Sequence, residues 1–319
     1  MINFRFHLIS LIAVFLALAV GVVMGYGVLG QPTVDTLQHR IDTVEARANR
    51  IKGENAKLRT ENSRLSDSMK AVGTYAVTNR LENSNVVPVA VRGVNEERVV
   101  DTVRLARGAT GVDASVPGVI WLEDKWNLNN DEDVAELATI VGTQSTSRSS
   151  VRDVAARALA NRLSSTPTTG GKADLLAQLA DAKFISLQPV DNIKFDPSTF
   201  DGRSTSRPVH LLIGGTDAKV PPAHSTVPLA RALVGLSVPV VVADSWREVD
   251  GGPDRGAGLQ EILGDEQLAS GVATLDDLDL PDGPLTTVLV LGDRVGQGMI
   301  GHYGFGTGAG KPVPDWWDV

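Results

Sequence analysis

LISLIAVFLALAVGVVMGYGVLG, from Leu8 to Gly30, carries no charged side chain, and only Ser10 and Tyr26 interrupt its apolar and glycine content. At about 1.5 Å rise per residue such a helix crosses a hydrocarbon core of roughly 30 Å. Arg5 and the amino terminus precede the run, whereas the first charge after it is Asp35. The positive-inside rule therefore leaves the N-terminus in the cytoplasm and exports everything beyond residue 30. A cleaved signal peptide is the competing reading, with Ala17-Leu18-Ala19 as its small-x-small site. Its apolar segment would span only about 7–15 residues, and this one continues well past Ala19, so an uncleaved anchor through residues 8–30 is expected. Gly21 and Gly25 add a small-xxx-small spacing that lets two such helices approach closely.

Outward from the anchor, residues 31–78 read in heptads. With Val34 at position a, the a series is Val34, Ile41, Ala48, Asn55, Asn62 and Met69, and the d series is Leu37, Val44, Ile51, Leu58, Leu65 and Val72. Every d position is aliphatic and the outer face is mostly charged, which marks a coiled coil rather than a helix lying on its own domain. Asn at a fits a parallel two-stranded coil, because paired amides fix register at some cost in stability. The expectation is a parallel homodimer whose seam is formed by these twelve residues, with a stalk about 60 Å long.

The joint between stalk and domain is expected over 79–85. Beyond it, apolar runs at Val86–Val91, Gly118–Leu122, Phe184–Leu187, Val209–Ile213 and Val238–Ala243 alternate with helical patterns near Glu96–Arg107, Glu132–Val141, Val151–Leu163, Asp174–Ala180 and Val227–Leu236. Continuous apolar strands separated by helices predict an open, mostly parallel sheet with helices on both faces, an α/β fold over 79–300. Gly271–Leu275 reads as a further strand. Asp282-Gly283-Pro284 reads as a helix start despite the Thr and Val that follow. Residues 301–319 form a Gly/Pro-rich tail.

Chemistry is harder to find. There is no cysteine, hence no disulfide and no Cys-based metal site, and a formal net charge of −8 without a basic patch argues against nucleic acid. In a doubly wound fold ligands sit at the carboxyl ends of strands, which singles out Gly214-Gly215-Thr216-Asp217 and Asp244-Ser245, although such residues are also ordinary turn formers. A pocket lined by Asp217, Asp244 and Ser245 would mark an enzyme for a small molecule. The Gly304–Gly310 run resembles a phosphate loop, but Lys311-Pro312-Val313-Pro314 follows, so no helix opens to hold the phosphate. His7, His39, His210, His224 and His302 lie far apart, and Met1, Met24, Met69 and Met299 do not cluster, so no metal ligands are assigned. No catalytic residue or cofactor is expected. Trp126, Trp316 and Trp317 are the candidate partner contacts, since tryptophan anchors interfaces.

The opening Met1–His7 (MINFRFH), the apolar helix with Gly21–Gly30, and the late Gly301-His302-Tyr303-Gly304 resemble the actinobacterial MctB-like proteins, the copper transport outer-membrane protein family, over nearly the whole chain. The chain is most similar to the corynebacterial SteB branch. That resemblance implies a dimer that works with a membrane-embedded partner similar to SteA to activate a septal peptidoglycan hydrolase during cell separation. The alternative it implies is copper transport through an envelope channel. A pore needs a closed barrel written in segments of about ten alternating residues, and copper needs soft ligands. The sequence offers neither, while an anchor, a dimeric stalk and a recognition surface suit a non-enzymatic regulator outside the cytoplasm.

Overall fold

The computed structural model describes residues 4–111, 116, 118–167, 173–191, 193–203, 207–245, 256–306 and 308–314. By contacts the chain divides into two units, Met1–Arg64 and Leu65–Val319. Helix α1 (Phe4–Ala76) supplies the described residues of the first unit. Its stretch Phe4–Gly25 is long and apolar enough to cross a membrane. Farther along, Leu37, Val44, Ile51 and Leu58 are exposed by 54%, 66%, 45% and 62%. Ion pairs Arg50–Glu54 and Lys57–Glu61 link successive turns of the same helix.

The second unit is a seven-stranded sheet of β1 (Ser84–Val91), β2 (Gly118–Leu122), β3 (Ile185–Pro189), β4 (Arg207–Gly215), β5 (Val240–Ser245), β6 (Val272–Leu275) and β7 (His302–Tyr303). The order is β3-β2-β1-β4-β5-β6-β7, parallel throughout except that β3 runs antiparallel to β2. Between the strands lie α2 (Glu96–Thr110), α3 (Asp131–Val141), α4 (Arg148–Leu163), α5 (Leu175–Asp181), α6 (Thr226–Gly235), α7 (Ala257–Leu263), α8 (Glu266–Ala269) and α9 (Gly283–Gly296). β1, β2, β5 and β6 are buried along their whole length, because the sheet is covered on both faces. One core joins Val87, Val89, Leu122 and Leu212 to α3–α8, and the other joins Val209, Leu211, Ile213 and Trp121 to α2 and α9. The α/β class and the strands expected before residue 280 are thus present, with ends shifted by a residue or two. Pro284 does start a helix, α9.

Two features differ from the sequence expectation. The second unit begins at Leu65, ahead of the joint expected over 79–85, because the last turns of α1 pack on α2. Ser66 accepts a bond from Arg98 (2.9 Å), Lys70 pairs with Asp101 (2.9 Å), Gly73 abuts Leu105, and Val77 is fully buried. The sheet itself is mostly parallel as expected, with β3 reversed at one edge. And His302–Tyr303, assigned to the tail, form β7 beside β6, with Tyr303 bridged to Lys311.

Candidate functional site: a closed crevice and an open helix face

The strand order reverses between β1 and β4, where a doubly wound sheet normally opens a ligand crevice. Here the chain closes it. The Lys219 amide donates to the Arg92 carbonyl at 2.6 Å, and Asn127 donates its side-chain amide to the Lys219 carbonyl at 2.8 Å. Gly93 sits at φ +105°, and a Cβ there would collide with the Asp217 carbonyl, so only glycine lets the two loops cross. The first turn of α2 carries Glu96 and Glu97 behind the Asn95 cap. A phosphate placed there would face two carboxylates instead of a free helix terminus.

Of the residues singled out at the strand ends, Asp217 is exposed whereas Asp244 and Ser245 are 4% and 6% exposed. Ser245 Oγ donates to the Gly214 carbonyl. The three therefore do not share one open pocket. Burial, then the negative charge of Asp276, push the Asp244 carboxyl up to about 7. The backbone amides of Gly258 and Leu259 hold it from the start of α7. The glycine-rich segment is an anion nest after all, but its anion belongs to the chain. Phe305 and Gly306 donate their amides to the Asp276 carboxylate at 2.8 and 2.5 Å. Gly304, at φ +116°, has no room for a Cβ beside that carboxylate.

A second polar cluster lies at the ends of β1 and β2. Arg92 lies over the Trp121 ring at 4.4 Å and donates to Glu123 (2.9 Å) and Ser186 (3.0 Å). Ser186 donates to the same carboxylate oxygen, so this serine has an acidic acceptor but no histidine beside it. The flanking groove of about 600 Å³ is wide and shallow, lined by Glu123, Asp124, Lys125, Lys183 and Ile185 among others.

Trp126, expected as a contact residue, is corrected to the core. It is 2% exposed and its indole nitrogen donates to the His224 carbonyl at 3.1 Å. Trp316 and Trp317 lie outside the described residues. His210 is buried within 3.3 Å of Ser164 Oγ and the Leu163 carbonyl, and burial lowers its pKa to about 4. Among the described residues no group of three His, Cys, Asp or Glu side chains is placed to hold a metal.

What remains open is one face of α1. Leu65 and Val72 are 48% and 58% exposed although the same two turns dock on α2. Met69 is half-buried, and Asn55 and Asn62 are exposed. The Val34 side chain is outside the described residues. The docking residues Ser66, Lys70, Gly73 and Val77 occupy heptad positions e, b, e and b, so the domain covers one flank of the helix and leaves the d residues Leu65 and Val72 exposed, with Met69 at a half-buried.

Fold and site together define an α/β protein with an N-terminal apolar helix that is a candidate membrane span and with the loops after β1 and β4 tied together by the Lys219–Arg92 bond. The family model "Copper transport outer membrane protein, MctB" matches residues 1–314, and the chain belongs to that family, a family of envelope proteins. It is 26% identical over 325 aligned residues to the proteins named copper transporter MctB of Mycobacterium bovis and Mycobacterium tuberculosis, covering 97% of this chain and 98% of each relative. The described residues do not fit copper as a tightly held ion. Cysteine is absent, Met24, Met69 and Met299 are far apart in sequence, and the half-buried His302 already shares Nδ1 with Thr274 Oγ1 at 3.0 Å.

Proposed function

We propose that this chain is a membrane-anchored, dimeric scaffold outside the cytoplasm that regulates the cell envelope. In this reading it activates a septal peptidoglycan hydrolase in cell separation, together with a membrane partner similar to SteA, and carries out no chemistry itself. The observation that carries the reading is the row of exposed aliphatic d positions along α1, from Leu37 to Val72. A soluble helix does not leave such a row to water unless a partner helix covers it. Charge supports a second copy in parallel. Position g of one helix faces position e of the next heptad in the other, which sets Arg40 against Glu45 and Glu54 against Arg59, with Arg47 against Lys52 as the one like-charged pair. The crevice closed by Lys219 and Arg92 supports a recognition role over catalysis.

The test is capture of a candidate septal hydrolase by the full chain in detergent, read with hydrolase activity. The wild type is expected to retain and activate the enzyme, and Leu58→Asp, which puts a charge in the seam, to lose both. No retention by the wild type overturns the regulatory reading. The names of the Mycobacterium relatives favour copper transport as the second reading. A deletion strain that accumulates copper while separating normally would establish that one instead.

A further inference from the structure

We propose that the stalk carries a belt of cations over residues 47–52 that holds a linear, phosphate-bearing polymer against the dimer. The inference rests on the parallel dimer proposed above. Between Glu45 and Glu54 the helix carries Arg47, Arg50 and Lys52 and no acid. Arg47 at g faces Lys52 at e of the other helix, so two-fold symmetry sets four cations around one layer of the seam. That layer holds Ala48 at a, whose small side chain lets the helices, and the charges with them, come close. All three cations are exposed. Among the described residues Arg47 and Lys52 make no ion pair, and Arg50 pairs with Glu54 of its own helix at 3.8 Å.

Left to itself, a like-charged layer weakens a coil, and the heptads on either side avoid it with Arg40 against Glu45 and Glu54 against Arg59. A polyanion lying across the layer converts that repulsion into binding. The surface sets its chemistry. Ile51, a seam residue, is the one large apolar side chain exposed between Val44 and Leu58. A folded protein partner therefore finds no anchor of the kind that dominates protein interfaces. Two of the three cations are arginines, whose planar fork matches phosphate oxygens. Gly53, with nothing within 4 Å of a Cβ position, leaves the outer backbone open to close approach. The belt lies about 33 Å beyond the end of the apolar span, 22 residues from Gly25 to Arg47 at about 1.5 Å each, out of reach of lipid headgroups. One helix carries only three of these charges in a chain of net charge −8, so no basic patch stands out until the second copy doubles them.

The test titrates the full chain, in non-ionic detergent, against fluorescently labelled linear polyphosphate by anisotropy, with light scattering to report its oligomeric state. The wild type is expected to bind as a dimer. With four phosphates engaged, its affinity should fall about fifty-fold between 50 and 200 mM salt. Arg47→Gln combined with Lys52→Gln changes only exposed helix positions, so it is expected to stay dimeric and to bind at least tenfold more weakly. Lys57→Gln, outside the belt, is expected to change affinity less than twofold. A dimeric wild type that ignores polyphosphate, or a double variant that binds as well as the wild type, overturns the belt and leaves the dimer standing. A monomeric wild type overturns the dimer and the belt with it. Equal affinity for poly-L-glutamate of the same length would make the ligand an acidic polypeptide and overturn the phosphate assignment.

Discussion

Asp244 keeps its carboxyl at 4% exposure on the end of β5, with Asp276 adding a second negative field. Its folded pKa of about 7 lies above the ordinary value of 3.8, so between those values the folded state binds more protons than the unfolded one. Stability from this group therefore falls as pH rises from about 4 to 7, and the full cost is present above 7. His210 acts oppositely. Its pKa is lowered from 6.5 to about 4, so stability is lost as pH falls through that window. The two effects offset each other between pH 4 and 6.5. Asp244→Asn keeps an acceptor for the Gly258 and Leu259 amides and removes the charge. It should raise stability at pH 8 by about 1–3 kcal/mol, or roughly 3–9 °C in Tm, and should unmask the loss from His210 on acidification. Thermal melts of both proteins from pH 4 to 8 check this, and an unchanged melting temperature at pH 8 would show that the buried carboxylate costs nothing. Trp126 belongs to the same scale. Its neighbours Glu123, Asp124 and Lys125 give the sequence the look of a surface turn, yet Leu128 at φ +58° closes a short 3-10 turn that folds the ring inward. Trp126→Ala should cost about 3–5 kcal/mol in denaturant unfolding, a core value, against a few tenths for an exposed side chain.

At the scale of elements, the buried Arg162 does what strands and helices cannot, holding irregular backbone in place. Arg162 pairs with Asp174 at 2.6 Å, both 5–7% exposed, and donates to the carbonyls of Pro197 and Phe200. Asp174 in turn caps α5 through the Leu176 amide. Removing the arginine leaves a buried carboxylate without its cation and two carbonyls without this donor, so Arg162→Ala should lose about 3–5 kcal/mol. Arg162→Lys should recover little, since one ammonium cannot span those acceptors. Hydrogen exchange at α5 and at the 196–201 turn would rise in both variants, and protection equal to wild type in Arg162→Lys would refute the spanning argument. Elements long enough to carry a period were legible in the sequence: β1, β2, β4 and β5 as apolar runs, α2–α4 as amphipathic helices. β7, with two residues, and α8, with four, are too short for any period to register. The nest at Gly304–Gly306 was not legible, since its phosphate-loop look was set aside for want of a following helix and Asp276 reaches it only through the pairing of β6 with β7. Closure of the crevice was invisible for the same reason, being a backbone bond between Arg92 and Lys219.

At the scale of the whole molecule, the charge pattern predicts which side of a membrane would carry the α/β unit. Arg5 and the amino terminus stand before the apolar run, and no lysine or arginine follows until Arg40. A basic flank resists translocation, so the expected topology keeps the short N-terminal segment inside and exports residues 31–319. The composition agrees with that destination, since a chain without cysteine is indifferent to an oxidising space. Ser149, exposed at the start of α4, offers a reporter position outside the core and away from the open face of α1. In intact cells, Ser149→Cys should be labelled by a membrane-impermeant maleimide at a rate near that of the detergent-solubilised protein. Asn3→Cys should be labelled only after permeabilisation. The inverted pattern would place the α/β unit in the cytoplasm and remove any septal hydrolase from its reach, whatever the state of the dimer. Labelling at both positions would mean that the run does not span the bilayer, and labelling of Ser149→Cys with no Asn3→Cys signal even after permeabilisation would mean that the run is a leader removed from the chain.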